Sequence, residues 1–367
     1  MGCERRRLTL REWAFAILAL AGATLGCGGA SNETRPSGAG GAQGGTGGAG
    51  TSGVGTGGTG GSAMGLCDRA SGPVDLSGQW AVLASLTVEL IGNPAAIVKL
   101  CPDPQKQSAS FLLKVTLAGS GTSYTETVTV CDLSMPKVTG GVGSCPSDPT
   151  QYIETRIEPG NELKAYLPTR DVSNVPVALP GSDAGTPFAP EPFSLVLGAN
   201  LANAATDPLP FWDAQRVNCG TVSIGPTPAS CVNGIEKIID EDSDQHLGVT
   251  LLAEATDANG AKQLEGAAYA VLRVSPMLNG TVQNSSCIDG GLNAKLEYSI
   301  VDSSIRVLGL ATPTPSVIEQ LPPFAATPES HFQMLRADGT GESAFDDDGN
   351  GSVSCAEIRN HQAAFTP

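Results

Sequence analysis

Residues 346–357 read DDDGNGSVSCAE. Asp346, Asp348 and Asn350 take positions 1, 3 and 5, and a loop that winds back on itself brings their side-chain oxygens together. Gly351 falls at position 6, where such a loop turns sharply. Ser352 at position 7 would offer its carbonyl, Ser354 at 9 would act through a water, and Glu357 at 12 is placed to give both carboxylate oxygens. Val353, between them, is apolar and suited to pack inward. Donors that are all oxygen suit a hard cation taking six to eight ligands, so Ca2+ is the expected ion.

A second acidic run lies further upstream. Asp240, Asp242 and Asp244 repeat the 1, 3, 5 spacing, but position 6 is Gln245 and position 12 is Leu251. The run suits a degenerate calcium loop capping a β edge, a possible second metal site, and it equally suits a plain acidic turn. His246 beside it reads as a surface residue, because calcium prefers oxygen.

The first segment resembles the twelve-residue EF-hand loop over its full length. The resemblance implies a calcium site at Asp346, Asp348, Asn350, Ser352, Ser354 and Glu357. The flanks depart from it. Residues 356–365 can form the exiting helix, with Ile358 and Phe365 inward, but Gly339 and Gly341 disfavour a helix on the entering side. A loop with one helix is expected. Outside the cell such a site would be mostly filled, at roughly 10⁻⁴–10⁻³ M affinity, so calcium acts as a staple rather than a switch.

The elements that position these loops are β-strands. Apolar–polar alternation recurs over 79–90, 110–118, 124–131, 193–197, 248–254, 267–274 and 296–310, with Gly, Pro, Asn and Asp clusters between. Thr125, Thr127 and Thr129 face one way, while Val128 and Val130 face the other. The expected fold is all-β, an antiparallel sandwich or barrel over 66–330, followed by the loop and helix in 331–367. Gly78-Gln79-Trp80 at the first strand resembles the entry of lipocalin-type barrels. That resemblance implies a carrier of a small apolar ligand; a Trp packed at the start of any β domain is the plainer reading.

Ten cysteines are present. Cys3 and Cys27 lie near the N-terminus, and eight remain, an even number that implies disulfides in an oxidising compartment. Cys131–Cys145 and Cys219–Cys231 are the expected local pairs, each closing a short Gly-, Ser- or Pro-bearing loop. Cys355 sits inside the acidic loop, and pairing it with a body cysteine would tie loop to body. Zinc is disfavoured: there is no Cys-x-x-Cys and there are three His.

The N-terminus reads as an address. Arg5, Arg6, Arg7 and Arg11 precede the apolar run 13–25, which is too short to be a good membrane span and fits a signal peptide over 1–26. Gly26-Cys27 resembles the lipobox of bacterial lipoproteins, although Thr24 stands where that family prefers Leu. The resemblance implies lipidation at Cys27, and Gly28 after it favours the outer membrane. Residues 28–65 hold 17 Gly in 38 positions and form a tether that cannot bury a core.

The net charge is −16, and −18 without residues 1–26. That excludes nucleic acid as a partner and leaves the lipid anchor as the sole expected membrane contact. No protein or glycan partner is named by any motif. Gly-x-Ser-x-Gly, Gly-x-x-x-x-Gly-Lys and His-Glu-x-x-His are absent. The whole resembles exported lipoproteins of Gram-negative bacteria, a resemblance that implies location and not activity; with the calcium loop, a structural or binding role is expected. A secreted hydrolase whose site is not visible in sequence is the alternative, beside the lipocalin-like carrier.

Overall fold

Alternation of burial along the first long strand sets the architecture. In β1 (Gly78–Leu90), Trp80, Val82, Ala84, Leu86 and Val88 are buried in one cluster, while Ala81 joins a different one. Successive residues of a strand point to opposite faces, so this sheet is covered on both sides.

The computed structural model describes residues 67–365, apart from 94–95, 97, 217–218, 220–228, 321–323 and 339–344. Cys27 and the glycine tract lie outside the described residues. After β1 come β2 (Val98–Leu100), β3 (Gln105–Ser120), β4 (Ser123–Ser134), β5 (Val138–Val142), β6 (Ile153–Pro159) and β7 (Asp171–Ala178). Short strands follow: β8 (Pro187–Phe188), β9 (Leu195–Leu197), β10 (Phe211–Trp212) and β11 (Val232–Asn233). The second half holds β12 (Val249–Thr256), β13 (Lys262–Asn284), β14 (Cys287–Ser303), β15 (Arg306–Val307), β16 (Leu310–Ala311), β17 (Phe324–Ala326) and β18 (His331–Arg336). Three short helices complete the chain: α1 (Asn161–Tyr166), α2 (Thr314–Gln320) and α3 (Cys355–Asn360).

One antiparallel sheet runs in the order β2-β5-β6-β12-β13-β14-β18-β1-β3-β4-β7 and curls into a half-barrel. Register shifts at Leu112/Leu113, Glu126/Val128, Ala255/Thr256 and Tyr269/Ala270 bend its strands. A bulge adds right-handed twist locally, which is what a sheet needs in order to curl. Gly280 and Gly290 pair across β13 and β14, and a Cβ on Gly290 would meet Gly280 Cα at 2.3 Å, so two small residues let these strands approach beside Phe332.

Two clusters continue one another along one face. Trp80, Leu86, Phe188, Phe332 and Met334 belong to the first; Leu163, Val249, Leu251, Ala270 and Ile300 belong to the second. On the opposite face, Ala81, Leu112 and Leu335 pack against Phe345, Val353, Ile358 and Phe365 of the C-terminal segment. β18 lies between β14 and β1, so the strand that leads to the acidic loop belongs to the interior of the sheet. Trp80 is fully buried, with its Nε1 donating to Leu76 O at 3.0 Å.

Four disulfides join Cys67–Cys287, Cys101–Cys145, Cys131–Cys355 and Cys219–Cys231. The expected Cys131–Cys145 pair is corrected: Cys145 reaches back to Cys101, whose strand neighbourhood β2 pairs with β5 just before it. Cys131 is buried under the C-terminal segment and bonds Cys355 instead. Cys219–Cys231 forms as expected. Four cross-links suggest maturation in an oxidising compartment. Among the described residues no helix is long and apolar enough to cross a membrane.

Candidate metal centre

The acidic loop is held from three sides before any ion is considered. Cys355 is bonded to Cys131 of β4. Val353 is buried, and its N–H donates to Gln79 Oε1 at 2.8 Å. Arg359 Nη1 donates to Cys131 O at 2.8 Å. Within the loop, Asp346 Oδ1 accepts the Asn350 N–H at 3.1 Å, and Oδ2 accepts the Gly351 N–H at 2.8 Å. Gly349 and Gly351 both have positive φ, 69° and 81°, the region glycine enters without strain.

Carboxylate oxygens of Asp346, Asp348 and Glu357 lie within 4.8 Å of one another. Glu357 reaches this cluster because α3 starts two residues earlier and carries it inward. Its Oε1 accepts the Asp347 N–H at 2.9 Å, and its Oε2 accepts the Ser354 N–H at 2.7 Å. Ser354 Oγ in turn accepts the Glu357 N–H at 3.2 Å, a reciprocal capping box. The Ser354 N–H, with the Ser354 hydroxyl, holds the Glu357 carboxyl below the usual carboxylate range and so keeps it ionised.

Asn350, Ser352 and Ser354 carry hydrogen bonds within the loop. Asn350 Nδ2 donates to Asp348 Oδ2 at 2.8 Å, while its Oδ1 accepts the Ser352 N–H at 2.8 Å. The Ser354 hydroxyl is engaged by Glu357. Three carboxylates converge, and hydrogen bonds of Asn350, Ser352 and Ser354 shape the turn around them. Three carboxyl groups this close present only oxygen donors, which suit a hard divalent cation. The exiting helix is shorter than expected, Cys355–Asn360 followed by a 3₁₀ turn at Gln362–Ala364, yet Ile358 and Phe365 are buried as the spacing implies.

The second acidic run repeats this geometry. Asp240 Oδ1 accepts the Asp244 N–H at 3.0 Å, and Oδ2 accepts the Gln245 N–H at 2.9 Å. These are the fourth and fifth residues on, as Asn350 and Gly351 are from Asp346. Positive φ falls at the same offsets, Ser243 at 60° and Gln245 at 74°. Carboxylate oxygens of Asp240, Asp242 and Asp244 also lie within 4.8 Å. Asp242 is 6% exposed; its Oδ2 accepts the Thr250 N–H at 2.9 Å, and its buried Oδ1 has no hydrogen-bond partner. Position 12, Leu251, lies in β12 and gives no carboxylate.

Little else resembles a reactive centre. All eight cysteines among the described residues are disulfide-bonded. His246 is stacked on Tyr269 at 4.0 Å, with its Nε2 3.2 Å from the Tyr269 hydroxyl. His361 Nε2 lies 2.7 Å from Asp347 Oδ1 and so fastens the acidic loop to the chain end. One buried carboxyl escaped the sequence reading: Glu126, in β4, which shares its face with Val128 and Val130. The alternation of that strand already sets it opposite the threonines. No protein-family model, no curated protein and no solved structure matches this chain.

Proposed function

We propose that this chain is an exported, surface-anchored lipoprotein whose β body is stapled by calcium, with a structural or binding role. The convergence of Asp346, Asp348 and Glu357 in a loop cross-linked to the body carries the reading. Calcium there offsets carboxylate repulsion in a segment that is already docked by Phe345, Val353, Ile358 and Phe365. It therefore tightens the C-terminal segment without switching the fold. The run at Asp240, Asp242 and Asp244 is a second, weaker calcium site, in which Asp242 Oδ1 is the buried oxygen left for the ion. Anchoring follows from the lipobox-like Gly26-Cys27 and the glycine-rich spacer behind it.

Calorimetric calcium titration of the oxidised full chain, kept lipid-free by Cys27→Ser, tests this against Glu357→Gln and Asp242→Asn. Two sites are expected, the tighter one weakened at least tenfold by Glu357→Gln and the other removed by Asp242→Asn. No calcium uptake by the unaltered loops would end the calcium reading. Mass spectrometry of the N-terminal peptide from the host, without acyl chains on Cys27, would end the anchoring.

A further inference from the structure

The inner face of the half-barrel is not fully packed. A cavity of about 160 Å³ runs between residues such as Leu197, Leu251, Ala268, Leu272 and Ile300. It is of the size that, when apolar, stays dry and takes a guest such as benzene. Arg273 and Glu297 border it and are paired at 3.0 Å; Arg273 Nε is buried without a hydrogen-bond partner. A smaller space of about 50 Å³ adjoins it, and the two share Phe111, Val130, Leu195 and Val274 as walls.

Glu126 lines the smaller space. It is 1% exposed, and its Oε2 has no hydrogen-bond partner. Across the sheet it faces Leu117 of β3 and Val175 of β7, both apolar. Arg170 borders the same space, but its Nη1 is directed to Glu241, 3.5 Å away. An unpaired buried carboxyl costs stability, and a Leu of similar size would not incur that cost. A group retained in such a place has a use when something else supplies the missing partner.

We propose that the half-barrel binds a small, uncharged, largely apolar molecule with one hydrogen-bond acceptor, its polar atom on the Glu126 carboxyl and its hydrocarbon in the adjoining cavity. The neutral acid is the donor in this arrangement, and burial pushes the Glu126 carboxyl up to about 7. Neutral ketones, esters and alcohols meet the description. An ionised carboxylate or phosphate does not, because both bordering guanidinium groups are already ion-paired, Arg170 with Glu241 and Arg273 with Glu297. The proposal needs calcium at neither acidic run, although Leu251 of the second run is a wall of the cavity and Glu241 of that run holds Arg170.

The test uses 2-hexanone and hexane on the lipid-free full chain at pH 6, followed by NMR. We expect saturable 2-hexanone binding with contacts to Val130 and Leu195. Glu126→Leu should weaken 2-hexanone about tenfold, the worth of one hydrogen bond, without weakening hexane. Glu126→Gln keeps a donor and should hold 2-hexanone within about threefold of the parent. Absence of 2-hexanone binding, contacts elsewhere on the protein, or equal affinity in parent and Glu126→Leu would each overturn the proposal. A Glu126→Leu protein that loses hexane as well would have lost its cavity, and Glu126→Gln alone then decides: a loss beyond tenfold there counts against the hydrogen bond.

Discussion

Gln79 Oε1 accepts the main-chain N–H of Val353 at 2.8 Å, across 274 residues of chain. The second residue of β1 thereby holds the middle of the acidic loop. Val353 is 1% exposed, so its N–H has no ready access to water if that acceptor is removed. Gln79→Ala should therefore cost about 1–3 kcal/mol, the penalty of a buried unsatisfied donor. Hydrogen exchange at the Val353 amide is the direct measurement, and it should accelerate at least tenfold. Unchanged exchange would mean that the disulfide at Cys355 suffices to hold the loop.

That disulfide is the next test. Cys131–Cys355 spans 224 residues, whereas Cys219–Cys231 spans 12. In the chain-entropy account the longer closure restricts the unfolded chain more. The double variant Cys131→Ala, Cys355→Ala should lose about 4–5 kcal/mol in denaturant melts, and the corresponding change at Cys219 and Cys231 about 2–3 kcal/mol less than that. Equal losses would point to an effect in the folded state, with the docked C-terminal segment contributing nothing beyond its own contacts.

Alternation made most of the half-barrel legible. The runs at 79–90, 110–118, 124–131 and 267–274 lie in strands, and 248–254 does from Val249 on, because each has one face in an apolar cluster; 193–197 is strand only over Leu195–Leu197, and 296–310 breaks after Ser303 into β14, β15 and the first residue of β16. What was missed has a physical reason. β18 reads HFQMLR, and its Arg336 looks like a surface residue. In the fold, Arg336 is nearly buried, held by Asp338 two residues on at 3.0 Å and by Asp75 O from distant chain at 2.8 Å, so a charge sits in the sheet interior with its partners in place. β6 and β7 carry polar residues on the side away from the core. The convergence of Asp346, Asp348 and Glu357 was legible from spacing, since all three lie within twelve residues of chain. The Cys131–Cys355 bond was not, because eight cysteines allow many pairings and only tertiary packing selects one.

The second acidic loop shows how conformation can be shared where sequence is not. Gln245 has φ 74° at the offset where the other loop has Gly351 at 81°. A left-handed residue with a Cβ costs roughly 1–2 kcal/mol, which glycine avoids at some entropic expense. Gln245→Gly should be neutral or stabilising by up to about 1 kcal/mol and should raise calcium affinity at Asp240, Asp242 and Asp244. Gly351→Ala should do the reverse at Glu357, costing about 1 kcal/mol. Thermal melts with and without calcium check both, and a destabilising Gln245→Gly would show that the side chain itself holds the turn.

Glu126 gives the protein a pH dependence of calculable sign. Its carboxyl rises from 4.5 to about 7 through loss of hydration in an apolar wall. Between those values the folded chain keeps a proton that the unfolded chain has released. Stability therefore falls as pH rises from about 4.5 to about 7, and is flat in this respect above it. At about 1.4 kcal/mol per unit the full change is on the order of 3 kcal/mol. Glu126→Gln removes the titration without changing the shape, so the stability gap between variant and parent should move by that amount in the variant's favour from pH 4 to pH 8. Urea melts across this range measure it. A constant gap would place the carboxyl in contact with water or a cation throughout, and would remove the neutral donor on which ligand binding in the half-barrel depends.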